Sequence, residues 1–103
     1  MGFVEIASQD QIPPGTMKSF SVAGKAVLVV NIAGKFYAVA DKCPHFAGDL
    51  SKGRLEGSTV ICPRHGSQFD VSTGKRLKGP AARDLPVYPI QLDGAKITAD
   101  VQA

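Results

Sequence analysis

The triplet Ala-Gly-Lys occurs twice, at residues 23–25 and 33–35, with apolar runs before, between and after the copies. Glycine set between apolar runs is hairpin punctuation, so "SFSVAGKAVLVVNIAGKFYAVADKC" reads as three antiparallel strands in a meander. Val27 to Val30 is apolar without alternation, the pattern of a strand covered on both faces. Near the C-terminus, Tyr88, Ile90 and Leu92 alternate with polar residues or proline, and Asp93-Gly94 supplies a turn. Ile97, Ala99 and Val101 then alternate with Lys96, Thr98 and Asp100, which predicts a hairpin with one face on the core. Phe3 to Ala7 predicts an opening strand, Thr59 to Ile61 a short one, and "FDVSTGKRL" a hairpin turning at Thr73-Gly74. Ser8 and Gln11 have capping-box spacing, but Pro13-Pro14 allows no more than one helical turn.

Eleven Gly and seven Pro in 103 residues fit this picture of many turns. The expected fold class is all-β: a small antiparallel sandwich or barrel, one domain over residues 1–103, with a loop-rich insertion in the middle. Net charge is +3, and the basic residues come singly or in twos, so the footprint of a nucleic-acid binder is missing. An acidic protein partner stays open. "MGFVEIASQD" has neither the basic start nor the apolar run of a signal peptide, and no stretch is long enough to span a membrane. The expectation is a cytoplasmic monomer with no membrane or nucleic-acid partner. There, reduced thiols favour metal binding over a disulfide.

Every Cys and every His falls in one of two couples, Cys43-Pro-His45 and Cys62-Pro-Arg-His65. Each couple is too tight to contain a helix or strand, so each is a loop offering two ligands to one point. The short strand at 59–61 lies between them and can bring them face to face. Thiolate with imidazole suits zinc or iron. A Cys43–Cys62 disulfide leaves the neighbouring histidines unexplained. Zinc accepts two Cys and two His, although its common modules pair Cys with Cys. A [2Fe-2S] cluster with two Cys on one iron and two His on the other requires two loops that each mix the types.

At this point the chain resembles the Rieske family, through "CPRHGS" (62–67), "FDVSTG" (69–74) and "GPA" (79–81) as well as the ligands. The resemblance extends over essentially the whole chain. It implies one Rieske-type [2Fe-2S] cluster held by Cys43, His45, Cys62 and His65 in a cluster-binding subdomain of about residues 41–82. It puts Gly48, Gly66, Ser67, Phe69, Gly79 and Pro80 around that cluster, with the Gly-Pro loop as a third wall. Respiratory and photosynthetic members have a membrane anchor and an extra Cys in each ligand loop. Here those two positions are Gly48 and Arg64, so the chain looks like a Rieske-type ferredoxin.

Ser67 matches the family serine that bonds a bridging sulfide, whereas Phe69 stands where high-potential members have a tyrosine donor. Losing a donor to sulfur places the expected potential toward the lower end of about −150 to +300 mV. Arg64 opposes this as the smaller effect, because solvent screens it. The family's oxygenases need further His ligands for a second iron, and this chain has none to spare. Asp41, Asp49 and Asp70 read as turn or capping groups, not acid–base catalysts.

The expected function is therefore one-electron carriage, from a flavin-dependent reductase to a terminal oxygenase that hydroxylates aromatic compounds. Alternatives are a small subunit or accessory module of an assimilatory nitrite reductase, and a zinc-stabilised binding module. His45 and His65 would form the exposed electron port. Phe46, Pro80 and Ala81 would make an apolar docking patch beside Lys42, Arg64 and Lys78.

Overall fold

The computed structural model describes residues 3–42, 49–63, 66–79 and 84–101. Among these, the strands are β1 (Val4–Ser8), β2 (Thr16–Val22), β3 (Lys25–Ile32), β4 (Lys35–Ala40), β5 (Arg54–Glu56), β6 (Thr59–Ile61), β7 (Gln68–Asp70), β8 (Arg76–Lys78), β9 (Val87–Tyr88), β10 (Ile90–Asp93) and β11 (Lys96–Ala99). Single 3-10 turns occupy Gln9–Gln11 and Leu50–Lys52. Three antiparallel sheets result, ordered β1-β11-β10, β2-β3-β4-β9 and β5-β6-β7-β8. The all-β expectation holds.

Both Ala-Gly-Lys turns behave as expected. Ala23 and Gly24, then Ala33 and Gly34, have positive φ, and their flanking pairs Val22↔Lys25 and Ile32↔Lys35 close two-residue hairpins. Left-handed backbone at two successive residues is the turn whose twist matches the flanking strands. Alanine there costs about 1 kcal/mol of local strain. Buried Asn31 ties the second turn down: its Oδ1 accepts from Gly34 N at 2.9 Å and its Nδ2 donates to Ile12 O at 2.7 Å.

β3 lies in the middle layer. Val27 and Val29 pack with Phe36, Ala38, Ile97, Ala99 and Val101 against the terminal sheet. Leu28 and Val30 pack with Val39, Leu50, Val60, Phe69, Val71 and Leu85 against the sheet β5–β8. A strand covered on both sides has no use for alternation, and Val27 to Val30 are all fully buried. Each such side chain contributes about 1.5–3 kcal/mol relative to exposure.

The C-terminal pattern needs two corrections. Tyr88 and Ile90 are not on one strand: β9 pairs with β4 of the middle sheet, while β10 pairs with β11 of the terminal sheet. The change of sheet falls at Pro89, which has no N–H to give to a ladder. Leu92, expected on the core face, is 49% exposed, because β10 is the outer strand of its sheet. Ile97, Ala99 and Val101 are buried as expected.

Candidate metal centre

The sheet β5–β8 is made of three-residue strands, and three loops leave it or its neighbours close together. The first loop begins after Lys42 and ends at Asp49. Its base is closed by a β-bridge between those two residues and by Leu50 N donating to Asp41 O at 2.7 Å. Asp41 is buried, and its carboxylate accepts from Ser19 Oγ (2.8 Å), Ser51 N (2.8 Å) and Ser51 Oγ (3.1 Å). A buried carboxylate is tolerable when hydrogen-bonded in this way. Here it ties the loop base to β2 on one side and to the Leu50–Lys52 turn on the other. Fully buried Leu50 pins that turn to the core.

The second loop joins β6 to β7. Ile61 pairs with Gln68, and Cys62 N donates to Ser67 O at 2.8 Å while Gly66 N donates to Cys62 O at 3.2 Å. Cys62 and Ser67 are both buried, as is Phe69 two residues further on. The bases of the first two loops come together at Gly53. A Cβ there would lie 1.9 Å from Ile61 O and 3.1 Å from Pro63 Cδ, so only glycine lets the foot of the first loop approach the start of the second.

The third loop leaves β8 at Gly79 and returns at Asp84. Gln68↔Lys78 pairing holds one side of it. Asp84 Oδ1 accepts from Arg76 N at 2.9 Å, and Leu85 N donates to Gly74 O at 2.7 Å, which hold the other.

Of the expected ligands, Cys62 is described and buried; Cys43, His45 and His65 lie outside the described residues, as do Phe46, Gly48, Arg64, Pro80 and Ala81. Gly66, Ser67, Phe69 and Gly79 stand at the bases of the second and third loops. Lys42 and Lys78 are exposed. Lys42 is ion-paired to Asp49, which also meets Lys52 at 3.6 Å. The hydrogen bond and charge of Asp49 raise the Lys42 pKa above its ordinary value, and those of Lys42 lower that of Asp49. Asp70 accepts from Ser72 N and Oγ in a turn. All three aspartates thus serve the backbone or a neighbouring ion. Gly53, Ser19 and Ser51 carry no local sequence signal, because their partners lie 8, 22 and 10 residues away.

The residues fit a Rieske centre as far as they are described. A soft thiol sits buried at the mouth of a hairpin loop, its Phe69 neighbour excludes water, and a second loop base is held within backbone contact.

Residues 2–89 match the family model described as Rieske [2Fe-2S] domain, and the chain belongs to that family. Within it, the chain is 35% identical over 92% of its length to the ferredoxin component of the naphthalene 1,2-dioxygenase/salicylate 5-hydroxylase systems of Ralstonia sp., covering 91% of that protein. It is also similar to the solved ferredoxin of carbazole 1,9a-dioxygenase from Nocardioides aromaticivorans IC177, with TM-score 0.91, 32% identity and coverage of 96% and 97% of the two chains. A ferredoxin in complex with the reduced oxygenase of carbazole 1,9a-dioxygenase matches with TM-score 0.89 and 28% identity, covering 94% of this chain and 91% of that one. The expectation of an electron carrier that leaves catalysis to another subunit is borne out by these likenesses. Among the described residues no helix is long and apolar enough to cross a membrane.

Proposed function

We propose that the chain carries single electrons on a Rieske [2Fe-2S] centre, from a flavin-dependent reductase to a terminal oxygenase acting on an aromatic compound. In this reading the ligand set is Cys43 and Cys62 on the inner iron and His45 and His65 on the outer one, within a cluster-binding part of about residues 41–82. The observation that carries it is the buried Cys62 at the mouth of the β6–β7 loop, in a chain that belongs to this family. When bound, the cluster supplies a reversible one-electron couple.

The chain's own residues do the rest. Asp41 and Gly53 hold the two loop bases in register, so the ligands need little rearrangement between oxidation states. Phe69 keeps the inner side dry and offers no hydroxyl to a sulfur, which supports a potential toward the lower end of the Rieske range of about −150 to +300 mV. Gly48 and Arg64, where anchored relatives carry cysteine, leave the loops without a disulfide. The histidines form the exit for the electron, and Phe46, Pro80 and Ala81 give a small apolar surround for transient docking.

Purified holoprotein tests the reading directly. Two irons and two acid-labile sulfides per chain, with a paramagnetic signal on one-electron reduction, are expected. Colourless protein with one zinc and no labile sulfide overturns it. Electron delivery to a siroheme nitrite reductase, with none to an aromatic-ring oxygenase, would keep the carrier and replace the acceptor.

A further inference from the structure

The two edges of the loop-bearing sheet differ in whether their cations are ion-paired. Pairing across that sheet aligns Arg54 on β5, Ile61 on β6, Gln68 on β7 and Lys78 on β8 in one row at the end from which the second loop emerges. Both outer members are cationic, and three strand spacings put them about 14 Å apart. At physiological salt the screening length is about 8 Å, so each edge presents its own field.

On the β5 side every cation among the described residues is paired. Arg54 bonds Glu56 at 3.0 Å, and Lys42 and Lys52 both meet Asp49. On the β8 side they are not. Lys75, Arg76 and Lys78 are exposed, and none has an ion-pair partner among the described residues. The nearby Asp84 carboxylate accepts from the Arg76 backbone N–H. Leu77 stands among these cations and is 52% exposed. Lysine on an edge strand blunts unwanted strand pairing, which accounts for some of the charge. Leu77 is the extra residue of a bulge, because Gln68 pairs with Lys78 and Phe69 with Arg76. Edge protection gives no account of why each cation on the opposite edge is ion-paired and these three are not.

We infer that the β8 edge, with Leu77 at its centre and Lys75, Arg76 and Lys78 around it, is the surface on which an acidic redox protein docks. The β5 edge is not. This rests on the electron-carrier reading and adds to it a partner chemistry and a side of approach. β8 leads through Gly79 into the third loop, so a protein seated there lies against the flank of the proposed centre. Like signs repel and opposite signs steer encounter, so the partner's matching face is rich in Asp and Glu with an apolar dimple for Leu77.

The test uses reduced holoprotein in stopped flow, with cytochrome b5 as an acidic protein acceptor and cytochrome c as a basic one. Wild-type protein should reduce cytochrome b5 at a rate that falls as salt rises. Lys75→Glu/Arg76→Glu/Lys78→Glu should lower that rate about tenfold at low salt and abolish its salt dependence, as expected for lost steering. The same variant should speed cytochrome c reduction. Lys52→Glu/Arg54→Glu, on the other edge, should change either rate less than twofold. Leu77→Ser should slow cytochrome b5 reduction without altering the salt slope. Equal effects from the two edges, or none from the β8 variant, overturn the inference while the carrier reading stands. Wild-type protein with no reducible iron–sulfur spectrum overturns the carrier reading itself.

Discussion

Val27 and Val29 face the terminal sheet, Leu28 and Val30 face the sheet β5–β8, and all four are completely buried. The material that covers them differs. On the terminal side β1, β10 and β11 supply four- and five-residue strands, with Ile97 and Ala99 as successive inward residues. On the other side every strand has three residues, and β6 and β7 contribute one fully buried residue each, Val60 and Phe69. Leu50, Val71 and Leu85, which lie between strands, complete that layer. A sheet of short strands keeps every residue within a turn of a loop. That makes it a good mount for loop-borne ligands and leaves it dependent on a few anchors.

The sharpest way to break this comparison is to remove one anchor from each face. Phe69→Ala should cost about 4 kcal/mol and Ile97→Ala about 3 kcal/mol in chemical unfolding of the apoprotein. The cluster should tell them apart: Phe69→Ala protein should lose iron and sulfide at temperatures where Ile97→Ala protein, still folded, keeps a wild-type visible spectrum. Equal loss from both would mean that the two layers support the centre alike.

A smaller effect comes from one substitution made in two places. Gly24→Ala adds a Cβ to open space at positive φ, and should cost about 1 kcal/mol from backbone strain alone. Gly53→Ala drives a Cβ into the Ile61 carbonyl, so a loop base must move, and about 2 kcal/mol is expected with an altered cluster spectrum. If Gly24→Ala disturbs the spectrum and Gly53→Ala does not, the close approach of the two loop bases is not what sets the site.

The smallest effect belongs to the Lys42–Asp49 pair, because both groups are exposed. Asp49 titrates below its ordinary value of 3.8 in the folded protein, so its contribution is complete above that value and is lost as pH falls through the lowered one. Lys42 mirrors it, contributing below 10.5 and losing that contribution as pH rises through its raised value. Asp49→Asn should shift the melting temperature at pH 7 by less than Gly24→Ala does. A larger shift would make the pair a structural clasp on the first loop.

Much of the middle and terminal sheets is legible in the sequence, because hairpin turns and two-sided burial leave local marks. Ala23-Gly24 and Ala33-Gly34 announce their strands, and Val27 to Val30 announce a covered one. The exposure of Leu92 is not legible there, because alternation tells which residues share a face and not whether anything covers that face. In the candidate site, the motif that proposes the four ligands, Ser67 and Phe69 is local, since each loop packs its chemistry into a few consecutive residues; of these, Cys62, Ser67 and Phe69 are described and buried.

The support of that site was not legible. Ser19 reaching Asp41, Gly53 meeting Ile61 and Gly74 receiving Leu85 join segments 8 to 22 residues apart, and no short pattern encodes such a meeting. The same holds for the two edges of the loop-bearing sheet. Composition records a net charge of +3. Folding closes Lys42 onto Asp49 across the first loop and leaves Lys75, Arg76 and Lys78 without ion-pair partners among the described residues. Residue type and local spacing sufficed for the strands and for the family, because those depend on near neighbours. Which loops meet, and which cations stay outside ion pairs, depend on neighbours that only chain packing brings together.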